Sequence, residues 1–184
     1  MRELSLHLLD IAENSVAAQA KTIEICVSED IANDRLTMSV RDDGKGMDEA
    51  LLSKVVDPFV TSRTTRKVGL GIPFLKAAAE ACNGFMKIES QLGKGTFLEV
   101  AFQRSHIDRM PLGDLASTML TLVVGNPTIH WVFRYIGNQN ELFFDDASLK
   151  NELNGSPLSD PLVIAYLRTT FENGIRSIQP DKEI

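Results

Sequence analysis

The sequence predicts an α+β protein: a two-layer sandwich in which helices cover one face of a mainly antiparallel sheet, followed by a small C-terminal α/β segment. Three observations lead there. Apolar residues recur at helical spacing over residues 4–20. Two pairs of neighbouring segments then alternate apolar and polar residues. Short turns join the members of each pair, which is how antiparallel strands are connected, and helices between the pairs need an apolar sheet face to cover.

Residues 4–20 read as a helix, because Leu4, Leu8, Ile11 and Ala12 fall at three- and four-residue steps with no Gly or Pro. Ile23, Ile25 and Val27 then alternate, Asn33-Asp34 marks a turn, and Leu36, Met38 and Val40 alternate again. These form an antiparallel pair with one buried face. Residues 42–46 are a glycine loop, and residues 48–56 a short helix with Asp48 as its cap. Residues 57–68 are irregular, polar and basic. Residues 70–82 read as a helix, with Pro73 tolerated only in the first turn and Asn83-Gly84 as the stop. Met86 and Ile88, then Leu98, Val100 and Phe102, mark two more strands joined at residues 92–95. The first domain is placed at residues 1–104.

Residues 105–184 are read as a small second domain of unknown function. A helix over 112–124 ends at Gly125-Asn126-Pro127. A hairpin joins 129–136 to 141–144, and a second helix over 162–171 starts behind Ser159-Asp160-Pro161.

The 184 residues are 43% hydrophobic and 24% charged, so a packed core is expected and disorder is not. The net charge of −6 argues against a long nucleic-acid face. Two cysteines, Cys26 and Cys82, make neither a disulfide framework nor a metal cluster, and point to a reduced, cytoplasmic setting. No apolar run approaches a membrane span, so no membrane partner is expected.

Four short motifs carry chemistry. Asp10 and Asn14 lie four apart on the first helix, so a carboxylate and an amide oxygen share one face. Mg²⁺ takes hard oxygen ligands, which suits Asn14; Asp10 suits orienting a water or accepting a proton. Asp42-Asp43-Gly44-Lys45-Gly46 follows a strand. Its carboxylate can accept from an exocyclic amine such as adenine's, while Gly44 and Gly46 would let backbone approach a flat base. Lys67-Val68-Gly69-Leu70-Gly71 opens a helix behind Arg63 and Arg66, and free N–H groups with a helix dipole there favour phosphate. No Gly-Lys-Ser/Thr follows, so this is no P-loop. Gly93-Lys94-Gly95-Thr96 joins the last two strands, with Thr96 able to donate to a ligand or to Asp42.

In this order the motifs resemble the superfamily that joins gyrase, the heat-shock chaperone ATPase, histidine kinases and mismatch-repair ATPases. Residues 10–14 are similar to its N box, 42–46 to its Asp-x-Gly-x-Gly box, Asp57-Pro58-Phe59 to the kinases' F box, and 69–72 and 93–96 to its later glycine boxes. The resemblance spans residues 4–103 and implies a Bergerat-type fold binding ATP with Mg²⁺. It implies that Asp42 reads adenine, Asn14 ligates Mg²⁺, Gly69, Leu70 and Gly71 serve the phosphates, and residues 61–68 form a short lid. More narrowly, the chain resembles stand-alone histidine-kinase-like ATPases of bacteria, some encoded beside iron-hydrogenase and NADH-dehydrogenase-like subunits.

The sequence also departs from the pattern. Lys67 stands where kinases often carry an extra glycine, so Arg66 or Lys67 would contact the γ-phosphate, and Lys67 joins Asp10 as a catalytic candidate. Asp10 stands where hydrolytic members carry Glu, one methylene longer. Helices bearing a phosphoacceptor histidine are not expected ahead of the ATP domain. Residues 105–112 are similar to the phosphoacceptor box around His106, but a linker with chance similarity is the preferred reading. His7 and His130 are read as packing residues.

The expected function is that of a Mg-ATP-binding regulatory protein passing the γ-phosphoryl to a protein side chain, a histidine or a serine/threonine. The alternative is an ATP-gated module for an unidentified protein partner. A slow ATPase acting on DNA is disfavoured by the acidic balance.

Overall fold

The computed structural model describes residues 3–56, 71–137, 139–153 and 155–179. The chain forms α1 (Leu4–Ala17), β1 (Thr22–Asp30), β2 (Arg35–Asp42), α2 (Glu49–Val56), α3 (Gly71–Ala81), β3 (Phe85–Gln91) and β4 (Gly95–Gln103). It continues with α4 (Leu115–Gly125), β5 (His130–Gly137), β6 (Asn140–Asp145), α5 (Asp146–Glu152) and α6 (Pro161–Ile178). This is the two-layer α+β sandwich that the alternating segments predict.

Six strands make one sheet in the order β3-β4-β2-β1-β5-β6. All neighbours are antiparallel except β1 and β5, which run parallel with Ile23 beside Trp131 and Ile25 beside Phe133. The boundary drawn after residue 104 falls at the end of β4, and beyond it the same sheet continues. β5 covers the edge that β1 would otherwise expose.

One face of the sheet is the core. Ile23, Ile25, Val27, Leu36, Met38 and Val40 from β1 and β2 are buried, as alternation requires. Val100 and Phe102 of β4 and Trp131, Phe133 and Tyr135 of β5 continue that layer. Leu4 and Leu8 of α1, Leu75 of α3, Met119 of α4 and Phe171 of α6 cover it, each fully buried. Phe171 meets the Phe144 ring edge-on at 4.8 Å and the Phe133 ring at 6.2 Å. Each such contact contributes about 0.5–1.5 kcal/mol beyond its buried area. The opposite face carries arginines laid over phenylalanines, Arg41 on Phe97 at 4.5 Å and Arg134 on Phe143 at 5.5 Å.

Local chemistry sets the helix ends. The first N–H groups of α1 lack a side-chain cap and instead donate to the carbonyls of Pro111 (3.0 Å) and Leu112 (2.8 Å). The segment after β4 therefore doubles back over the start of α1. That helix stops three residues before the predicted end, because Gln19 adopts φ +60°. Asp48 accepts from Leu51 N at 2.8 Å, as expected of a cap. Pro73 sits in the first turn of α3, and Asn83 at φ +53° closes it. Asp114 caps α4 through Ser117 N, and Asp160 caps α6 through Leu162 N.

Two features depart from the predicted elements. α6 runs seven residues past Phe171 through Gly174, whose missing side chain gives room to Leu142 of β6. α5 was not anticipated: it is seven residues long, polar, and begins on the Asp145 side chain, which accepts from Ala147 N. Among the described residues no helix is long and apolar enough to cross a membrane.

Candidate functional site

The strand register builds the site. β2, β4 and β3 place Asp42 beside Thr96, and Thr96 beside Ser90, in one row at the end of the sheet. These positions continue the inward faces of their strands, so three polar side chains point where apolar ones would stand. α1 lies over the row and brings Ser15 against Asp42.

Asp42 is buried, yet its carboxylate is well served. Ser15 Oγ donates to Oδ2 at 2.6 Å. The backbone N–H of Gly44 (2.9 Å) and that of Thr96 (3.3 Å) donate to Oδ1. A buried carboxylate is sustained only by such donors. Asp43 faces elsewhere: its Oδ1 accepts from Lys21 N (2.6 Å) and Thr22 N (2.9 Å) and pins the start of β1. These hydrogen bonds hold the Asp43 carboxyl below its ordinary range against the opposing effect of desolvation, the largest single influence on it.

A cavity of about 240 Å³ opens from this row. Its polar lining includes Asn14, Ser15, Asp42, Lys45 and Thr96. Ile11, Val40, Met47, Leu51, Ile72 and Ile88 supply apolar walls. A flat aromatic ring with a donor at one edge matches this combination: apolar faces for the ring, carboxylate for the edge. Asn14 is exposed at the mouth, on the same face of α1 as half-buried Asp10, one turn away. Asp10 is not among the lining residues.

Several sequence-predicted roles change in the structure. Gly46 lines the cavity, but at φ +63° a side chain there would run into Gln91 O at 2.0 Å. Gly44 does not line it, and a side chain there would press on Ala18 O at 2.9 Å. Within the chain itself, what these glycines admit is neighbouring backbone. Thr96 does reach Asp42, but through its backbone N–H; its hydroxyl lies 2.9 Å from Ser90 Oγ. Gly71 is the buried first residue of α3, and Ile72 lines the cavity. Arg63, Arg66, Lys67, Gly69, Leu70, the expected lid and the F-box-like segment lie outside the described residues.

Ser90 and Ser15 received no role from the sequence. Ser15 was visible inside the N-box-like segment. Ser90 could have been found as a hydroxyl at an inward position after Met86 and Ile88. Ser90 Oγ accepts from Met47 N at 2.8 Å and lies 3.0 Å from Gly95 O, so it ties the glycine loop to the β3–β4 hairpin.

The histidines stay apart from the cavity. His106 follows the far end of β4, and its Nδ1 accepts from Asp108 N at 3.2 Å. That bond folds the His106 ring back on its own turn. His7 is buried in α1, and burial lowers its pKa, with Asp10 pulling the other way. His130 Nε2 lies 2.8 Å from Asp145 Oδ1. With Asp146 these make a ligand-like trio, but the Lys150 ammonium already sits 2.6 Å from Asp146 Oδ2.

A sequence profile described as histidine kinase-, DNA gyrase B- and HSP90-like ATPase matches residues 2–106. A putative sensor protein of Shewanella frigidimarina is 31% identical over 59% of this chain and 16% of its own length. Sporulation kinase C of Bacillus subtilis is 29% identical over 53% of this chain and 23% of its own. The chain thus spans under a quarter of the length of these curated relatives. Among solved structures, the Aquifex aeolicus MutL ATPase domain complexed with ADP superposes with TM-score 0.53 at 15% identity, covering 84% of this chain and 68% of that one. That likeness concerns the fold and extends past residue 106. With more than half of its residues matched by the profile, the chain belongs to the histidine kinase-, DNA gyrase B- and HSP90-like ATPase family.

Proposed function

We propose that this chain is a Mg-ATP-binding regulatory protein that passes the γ-phosphoryl group to a protein side chain. The observation that carries the binding half is Asp42: a buried carboxylate, held by Ser15, Gly44 and Thr96, facing an apolar cavity sized for a base. An unprotonated carboxylate there accepts from an exocyclic amine, which adenine has at that edge.

Asn14 fits a cation. Its amide oxygen is a hard ligand at the cavity mouth, and Mg²⁺ is ordinarily shared between a few protein oxygens, phosphates and water. Bound there, Mg²⁺ would neutralise phosphate charge. Asp10, one turn along the same face, would take the acceptor's proton as the acceptor's oxygen or nitrogen bonds to the γ-phosphorus, the bond from that phosphorus to the β–γ bridging oxygen breaks and ADP leaves. Arg66 and Lys67 would meet the γ-phosphate, and Gly69, Leu70 and Gly71 the remaining phosphate oxygens. Transfer draws support from relatives named as sensor and sporulation kinases. Incubation with γ-labelled ATP and Mg²⁺, alone and with cell lysate, tests it. A labelled protein absent from the Asp42→Asn control supports transfer, and no label in either arm rules it out.

A second reading has its own observation. α1, which carries Asn14, packs on α4, and α4 packs on α6. Nucleotide pulling on Asn14 would be felt by the C-terminal helices, giving an ATP-gated surface for a protein partner. Pull-downs with and without ATP would then recover different proteins, whereas equal recovery refutes gating.

A further inference from the structure

We infer that Ser90 is a positioning residue that sets base specificity through Thr96, fixing the direction of the Thr96 hydroxyl so that Asp42, Thr96 and Ser15 offer the cavity lone pairs only. The inference rests on the reading of this cavity as a nucleotide site and adds to it a residue that does not line the cavity.

The argument is a count of hydrogens. Ser90 Oγ has one proton and two lone pairs. Met47 N–H occupies one lone pair at 2.8 Å. The Ser90 proton goes to Gly95 O at 3.0 Å. The remaining contact, 2.9 Å to Thr96 Oγ1, therefore has Thr96 as the donor and Ser90 as the acceptor. The other arrangement, Ser90 donating to Thr96, leaves Gly95 O without this donor and the Thr96 proton to find an acceptor elsewhere. It makes two bonds where the first makes three, so the first prevails.

With its proton turned to Ser90, Thr96 Oγ1 shows lone pairs to the cavity. Ser15 spends its proton on Asp42 Oδ2. The N–H groups of Gly44 and Thr96 are spent on Oδ1. Every hydrogen in the row of Asp42, Thr96 and Ser90, with Ser15 above it, is already directed at protein. A ligand edge rich in donors, such as a 6-amino purine, is welcome there. A 6-oxo purine brings a carbonyl oxygen against acceptors and finds no donor in that row. Asp42 alone leaves a loophole, because a hydroxyl free to rotate would turn its proton toward a carbonyl. Ser90 closes it.

Calorimetric titration of the full chain with Mg-ATP and with Mg-ITP, which differ at the 6-position of the base, tests this. The parent chain is expected to prefer ATP. Ser90→Ala frees the Thr96 hydroxyl, so the ATP-to-ITP affinity ratio should fall about tenfold, the worth of one hydrogen bond. Ser90→Thr restores a hydroxyl and should restore the ratio. Thr96→Val, which leaves the Ser90 bonds to Met47 and Gly95 in place, should lower the ratio too, and adding Ser90→Ala to it should change the ratio no further. A folded Ser90→Ala chain that loses ATP and ITP affinity equally, at an unchanged ratio, would show Ser90 to be merely structural and overturn the inference. Should Ser90→Ala not fold, an unchanged ratio in Thr96→Val overturns it instead. A parent chain that binds neither nucleotide overturns the nucleotide reading itself, a result separable from intact ATP binding with an indifferent Ser90.

Discussion

Ser15 and Asp42 meet at 2.6 Å, joining the first helix to the end of the second strand. The helix turn that carries the candidate metal ligand is thereby fixed to the candidate base reader. Asp42→Asn replaces a charged acceptor with an amide that must point hydrogens at either Ser15 or the two backbone N–H groups. ATP affinity should fall by roughly 10- to 100-fold, the range for a hydrogen bond to a charged group. Titration calorimetry measures this, and parent-like affinity would remove Asp42 from the site.

Asn14→Ala should act on the cation rather than the base. The variant should bind ATP without Mg²⁺ about as the parent does, and gain much less when Mg²⁺ is added. Paired titrations with Mg²⁺ and with EDTA separate the two. Equal enhancement in both proteins would place the cation elsewhere.

Acid should weaken the fold through His7. Its burial holds the imidazole below its ordinary pKa, so the unfolded chain binds the proton more readily. The stability that His7 contributes is present above about pH 6.5, the ordinary histidine value, and is lost as pH falls through the lowered value. Among the described residues its Nδ1 has no partner, so the charged ring has nothing to offset its burial. The thermal midpoint should drop below pH 6.5 in the parent, and His7→Gln should flatten that slope. An identical slope in both would acquit His7.

Residues 1–104 alone should fare poorly. In the full chain β1 pairs with β5 along Thr22 to Glu29, and Trp131, Phe133 and Tyr135 extend the core. Without them β1 becomes a bare edge over an apolar face, a template for self-association. Sedimentation and thermal unfolding of the fragment should show aggregation or a broad transition. A monomeric fragment with a sharp transition would make residues 105–184 a separable domain.

Much of this was legible in the residues, because the two periodicities are local. Ile23 to Val27 and Leu36 to Val40 alternate, and Leu4 to Ile11 step by turns, whatever lies around them. The same holds for Asp48, Asp160 and the Asn83-Gly84 stop, whose chemistry acts within a few residues. The union of β1 with β5 was not legible, since parallel pairing across the chain leaves no mark on either strand alone. Nor was the bond between Ser90 and Thr96, which depends on the register of two strands. Gly44 and Gly46 mark close approach in the sequence, and within the chain the carbonyls of Ala18 and Gln91 are what approach. α5 carries no apolar period and shows itself only through the Asp145 cap.

The β1–β5 pairing also constrains how the chain reaches its fold. Tyr135 and Glu29, hydrogen-bonded in the finished sheet, lie 106 positions apart. Contacts of such separation close large loops and form late, so high contact order slows the final step. A nascent chain emerging from the ribosome would hold its first strand half-paired until the fifth was synthesised.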